Sequence, residues 1–174
     1  YGASLLVSST ENIANKFNIS HFISSFIFIG IATSAPEIFI SIISTLDGSG
    51  NIAIGNALGA NTSGEMNVGI GSLALQSNTT GRENFAVGYG AVTLNTSGSY
   101  NIGLGRQALN SNYTGSQNVA IGHQALKSGN GSNNTAIGSS ADILEGFSGS
   151  TAIGYYAQAT RDHMVRIGGS NVSY

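Results

Sequence analysis

Cysteine is absent from the 174 residues, which excludes disulfides and thiolate metal sites and fits an exported or surface-exposed repeat protein. Charge is scarce too: 8% of the residues are charged and the net charge is −2. Six scattered Lys and Arg make no basic stripe, so a nucleic-acid partner held by phosphate neutralisation is not expected. So few ionisable groups leave little for acid–base chemistry, and no Gly-x-Ser-x-Gly elbow lies between a strand and a helix. No enzyme is read from this chain, and no catalytic or cofactor-binding residue. His21, His123 and His163 lie far apart and lack a Cys or second His at metal-ligand spacing. Tyr1 in place of Met suggests a fragment or a processed chain, so a missing leader says little about localisation.

Glycine is abundant instead, at 25 residues, and Ser, Thr and Asn fill the spaces between short apolar runs, a mixture that suits β-turns. One phrase returns from Asn51 onward: Asn51-Ile-Ala-Ile-Gly55, Asn67-Val-Gly-Ile-Gly71, Asn84-Phe-Ala-Val-Gly88 and so on to Ser150-Thr-Ala-Ile-Gly154. The closing glycines are spaced 16, 17, 17, 17, 16 and 16 residues, too short for a helical hairpin and right for one coil of a β-solenoid. The phrase reads as one short strand, and the Ala-Leu pairs that follow, such as Ala74-Leu75 and Ala108-Leu109, read as a second. Turns fall on Asn78-Thr-Thr-Gly81 and Asn95-Thr-Ser-Gly98. With strands about 4.8 Å apart, seven coils make a rod roughly 30 to 35 Å long. The shared phase puts Ile54, Ile70, Val87, Leu104, Ile121, Ile137 and Ile153 in one column, interior or between protomers.

The first 50 residues differ. Ile23 to Leu46 is an almost uncharged stretch of 24 residues, long enough to cross a bilayer core as a helix. Its middle, Thr33-Ser34-Ala35-Pro36-Glu37, would place a carboxylate, two hydroxyls and a helix breaker at mid-membrane depth, where an ionisable group usually belongs to an ion path. Thr, Ser and Glu oxygens suit Ca²⁺ or Na⁺.

These residues, with Gly2-Ala3-Ser4-Leu5-Leu6-Val7 and Asn51-Ile-Ala-Ile-Gly-Asn-Ala-Leu-Gly-Ala-Asn61, resemble the first α-repeat of the cation/Ca²⁺ exchanger superfamily, the Na⁺/Ca²⁺ antiporters. The resemblance implies a half-site for Ca²⁺ or Na⁺ at Thr33, Ser34 and Glu37. It also implies oxygen-bearing Ser and Asn where this chain has Ala60 and Gly64, and no second repeat follows to enclose the site. Residues 51–154 resemble the left-handed parallel β-roll head repeats of trimeric autotransporter adhesins and of phage tail fibres. The stretch from Ala157 to Ser173 resembles the segment ending such arrays in tail-fibre-like proteins. That likeness implies a homotrimer, a host or cell-surface ligand, and a surface or virion location.

The expectation is therefore a mostly β chain. Residues 1–50 form a hydrophobic, helical, transmembrane-like segment, and residues 51–174 a left-handed parallel β-roll of about seven coils. Functionally it is a structural or adhesive rod fused to, or misjoined with, a partial exchanger repeat; the alternative is a fragment of a membrane antiporter. Residues 51–61 satisfy both resemblances, as expected where two genes meet. The Gly-x-Gly-x-x-Ala matches at Gly69 and Gly103 sit at one phase of the repeat without a βαβ unit, so no dinucleotide is read there. The Asn-x-Ser/Thr sequons, such as Asn78 and Asn95, are explained by turn chemistry. Arg82 with Glu83 and Arg161 with Asp162 read as solvated pairs.

Overall fold

The computed structural model describes residues 49–169, so the helical reading of the first 48 residues lies outside it. The described chain is a parallel β-solenoid of about seven coils. Its strands are β1 (Ile52–Ile54), β2 (Val68–Ile70), β3 (Phe85–Val87), β4 (Ile102–Leu104), β5 (Val119–Ile121), β6 (Thr135–Ile137), β7 (Asp142–Ile143), β8 (Thr151–Ile153), β9 (Gln158–Ala159) and β10 (Val165–Ile167). Eight of them form one sheet in the order β1-β2-β3-β4-β5-β6-β8-β10, and β7 pairs with β9 in a second. Every pairing is parallel, and Ile52, Val68, Phe85 and Ile102 fall opposite one another in successive strands.

Each strand of the large sheet is three residues long with its middle residue turned inward. Ala53, Ala86, Ala120, Ala136 and Ala152 are buried there, and Gly69 and Gly103 hold the same register position. Small residues are needed because the interior is narrow: a Cβ on Gly103 would lie 2.5 Å from Val92 Cγ2. After the strand a glycine turns the chain with φ between 117° and 132° from Gly71 to Gly154, a region that Cβ-bearing residues rarely enter.

The Ala-Leu pairs do not form a second strand in most coils. Leu75, Leu109 and Leu126 have φ of 50°, 52° and 49°, so they turn the corner in the left-handed region while their side chains fill the core. That conformation costs about 1–2 kcal/mol for an L-residue. Burying a leucine contributes roughly 1.5–3 kcal/mol, so the corner roughly breaks even and pairing between coils carries the fold. Among the described residues a second strand appears only at β7 and β9, where Ile143 and Ala159 take the inward places.

Between coils the pairing extends to buried side chains. Asn67, Asn84, Asn101 and Asn118 form one interior column. In this column Asn84 Nδ2 donates to the Gly98 carbonyl at 2.9 Å, while the Asn101 N–H donates to Asn84 Oδ1 at 3.0 Å. A second column runs from Asn61 through Asn78 and Asn95 to Asn112, each amide donating to the Oδ1 one coil before at 2.8–3.0 Å. It stops at Asn112, whose buried Oδ1 has no partner among the described residues because Gly129 stands in the next coil. The same amides donate within their own turns, as Asn95 Nδ2 does to Gly98 at 2.8 Å. Asn78, Asn95 and Asn112 are buried, so turn chemistry accounts for those sequons.

A third column is serine: the Ser99 N–H donates to Ser116 Oγ, Ser116 N–H to Ser132 Oγ and Ser132 N–H to Ser148 Oγ, at 3.0–3.1 Å. Arg82 does not pair with its neighbour in sequence. It reaches across to Glu65 in the preceding coil, at 3.6 Å. Asp162 Oδ1 accepts the Ser148 N–H at 2.7 Å and so ends the serine column.

Candidate functional site

The inward turn of each middle residue forces the two flanking residues outward on the same face. The large sheet therefore presents two parallel columns of apolar side chains, one running through Ile52, Phe85 and Ile102 and the other through Ile54, Leu104 and Ile121. The column expected from sequence is present in register and faces out: Ile54 is 52% exposed, and Ile121, Ile137 and Ile153 are each 37% exposed. Only Thr135 and Thr151, both in the column of Ile52, are polar, and no charged residue stands in either column among the described strands. An uncharged apolar stripe along the whole sheet exceeds what an isolated surface residue accounts for. Along one border the Arg106 guanidinium lies over the Tyr89 ring, 5.9 Å from its centroid.

The residues singled out for cation binding are Thr33, Ser34 and Glu37, and all three lie outside the described residues. Ala60 and Gly64 lie inside, in the first coil. The Ala60 N–H donates to the Gln76 carbonyl at 3.0 Å. Gly64 is buried, and a Cβ there would collide with the Gly81 carbonyl and with Asn61 Oδ1. Where the sequence resemblance calls for an asparagine ligand, the coil has no room for a side chain. Among the described residues no three His, Asp or Glu side chains are grouped to hold a metal ion, and no helix is long and apolar enough to cross a membrane.

At the C-terminal end a shallow cleft of about 330 Å³ is lined by Ser140, Tyr156, Gln158 and Arg166. Sequence reasoning missed Arg166, because the array was taken to close at Gly154. The signal was Val165-Arg166-Ile167-Gly168, an eighth copy of the phrase after a shorter spacing, with Arg where Ala or Gly is usual. Nearby, burial pushes the Asp142 carboxyl above its ordinary range, although N–H groups of Ser128 and Ile143 donate to it at 3.3 and 3.0 Å. A raised folded-state value means that the folded chain holds this proton more tightly than the unfolded chain. The contribution to stability is therefore full at low pH and declines as pH rises through the folded value. Asp142→Asn keeps an acceptor and removes the charge, so its melting temperature relative to wild type should climb between about pH 3 and pH 7; parallel thermal melts across that range check this.

Residues 1–102, more than half of the chain, match the family model described as sodium/calcium exchanger protein. The match thus runs on through β1, β2 and β3 into β4. Over 69 residues the chain is 36% identical to the sodium/calcium exchanger MaX1 of Methanosarcina acetivorans, covering 40% of this chain and 19% of that protein. Over 60 residues it is 38% identical to an uncharacterized membrane protein of Methanocaldococcus jannaschii, covering 34% and 20%. The matched stretch therefore spans about a fifth of the length of these curated relatives. No solved structure matches.

Proposed function

The chain belongs to the sodium/calcium exchanger protein family, and from that premise we propose a membrane-attached structural protein in two parts. Residues 1–50 are the membrane-inserted segment, helical and exchanger-like, with Thr33, Ser34 and Glu37 as half of a Ca²⁺ or Na⁺ site. Residues 51–174 are a rigid, left-handed β-roll of the adhesin-head or tail-fibre kind, displayed beyond the membrane or on a virion and presenting a polar, repetitive surface to a host or cell-surface ligand. Three copies lie side by side and bury their two-column apolar faces against one another.

The uncharged apolar stripe along the sheet carries this reading, because a thin coil of alanine and glycine buries too little surface to stand alone. The full chain in detergent micelles should show three protein copies by light scattering. Leu104→Asp combined with Ile121→Asp should abolish that assembly and, with it, the β circular dichroism. A stably folded wild-type monomer at micromolar concentration would overturn the trimer.

Family membership favours a second reading, a fragment of a cation antiporter. Its requirement is Ca²⁺ uptake into proteoliposomes under an imposed Na⁺ gradient, abolished by Glu37→Gln. The first reading expects no uptake, since Ala60 and Gly64 carry no oxygen-bearing side chain.

A further inference from the structure

One turn of the solenoid is a residue short: Gly115 and Gly131 are 16 residues apart, where Gly81, Gly98 and Gly115 are 17 apart. In the full-length turns a main-chain carbonyl accepts two N–H groups of the coil before. Thr96 O takes those of Thr79 and Thr80 at 2.8 and 3.1 Å, and Tyr113 O takes those of Thr96 and Ser97 at 2.8 and 3.4 Å. In the short turn a side chain stands in for that carbonyl: Asn130 Oδ1 accepts the Tyr113 N–H at 2.9 Å and the Thr114 N–H at 3.1 Å. The next residue is held to glycine, because a Cβ on Gly131 would collide with the Phe147 carbonyl. Packing thus forces the one Asn-Gly step in the chain. Among the described residues neither Asn130 Nδ2 nor the Gly131 N–H has an acceptor, and Asn130 is only half-buried, within reach of water.

We propose that Asn130 and Gly131 form a self-modification site, at which the folded chain converts its own asparagine through a cyclic imide. The Gly131 nitrogen attacks Asn130 Cγ and its proton passes to solvent hydroxide. The bond from Cγ to Nδ2 breaks, and that nitrogen takes a proton from water and leaves as ammonia. Water then opens the imide, adding hydroxide to one carbonyl carbon and a proton to the nitrogen released from it. The charge that develops on Oδ1 as Cγ becomes tetrahedral falls on an atom already held by two fixed N–H groups, an oxyanion hole supplied by the preceding coil. With no Cβ on residue 131, nothing on that residue crowds the approach of its nitrogen. Opening at either carbonyl leaves Oδ1 on the same two donors, as a side-chain oxygen of aspartate or as the main-chain carbonyl of an isoaspartyl link. The coil therefore survives its own chemistry, and the rod gains a negative charge at one defined turn.

The test ages the full chain in detergent micelles in mildly alkaline buffer, beside the same chain unfolded in urea, and follows residue 130 by peptide mapping with mass spectrometry. We expect conversion to be about tenfold or more faster in the folded chain, since a fixed donor on a developing oxyanion is worth at least that. Hydroxylamine should split the aged folded chain between residues 130 and 131. Asn130→Gln, whose ring would be one atom larger, should stay unconverted and unsplit. Asn130→Asp keeps an acceptor for both N–H groups and should melt with the wild type, while Asn130→Ala melts lower. The proposal is overturned if residue 130 is still an amide in the aged folded chain, or if the unfolded chain converts as fast. A melt of Asn130→Asp as low as that of Asn130→Ala would also overturn it, because the product would then not rest on the two donors.

Discussion

Gly105→Ala should break the solenoid. Gly105 turns the chain at φ 132°, and a Cβ there would sit 2.5 Å from the Gly122 carbonyl oxygen and 2.7 Å from its carbon. Both obstacles are backbone, and they belong to the next coil, so no side chain can rotate away. The variant must either separate two coils or change the turn, and each choice breaks the ladder through which Gly122 N–H reaches Leu104 O at 2.8 Å. A loss of about 4 kcal/mol or more is expected, in the range reserved for backbone conflicts of this kind. Denaturant melts of the two proteins measure it; a change within about 1 kcal/mol would mean that the coils are not stacked as described.

The second large effect is Asn101→Ala. Asn101 Oδ1 accepts the Asn118 N–H and Asn118 Nδ2, both at 3.1 Å, and its own Nδ2 donates to the Gly115 carbonyl at 2.9 Å. Gly115 keeps a second donor in Asn112, and the Asn118 amide keeps the Gly131 carbonyl. The Asn118 N–H alone loses its acceptor, inside a coil that water does not reach. Leaving it unpaired, together with the small cavity, should cost about 2–3 kcal/mol. Asn101→Ser should cost less, because Ser150 already serves at this position in the coil of β8, with its hydroxyl accepting the Met164 N–H of the next coil. Equal losses in the two variants, measured by the same melts, would show that the lost volume and not the acceptor matters.

Much of this architecture was legible in the repeat itself. The phase of Ile54, Ile70 and Val87 gave the register, and the small third residue gave the tight stacking. The corner was misread because Ala74-Leu75 alternates as a strand would, and alternation is blind to the sign of φ at Leu75. The asparagine columns were missed for a different reason: Asn84 and Asn101 bond only once the coils are stacked, so neither local propensity nor spacing marks them as buried. The final strand escaped because its spacing shortens and its inward residue is Arg166, which breaks the very pattern that identifies the others. Thr33, Ser34 and Glu37 stood out through the cost of polar groups at membrane depth, and that reasoning concerns a segment outside the described coils. At Gly64 the coil adds a steric fact that composition could not supply.

The serine and asparagine columns meet each coil in the same way, since Asn84 faces Asn67 below and Asn101 above through like groups. A coil in the middle of the array therefore makes no demand that its neighbour's neighbour must meet. Duplication or loss of a 17-residue unit, such as the one between Asn84 and Asn101, would bring together surfaces that already fit. Length in such a molecule is free to drift by whole units across generations, while the ends stay as they are and only the distance between them is inherited as a variable.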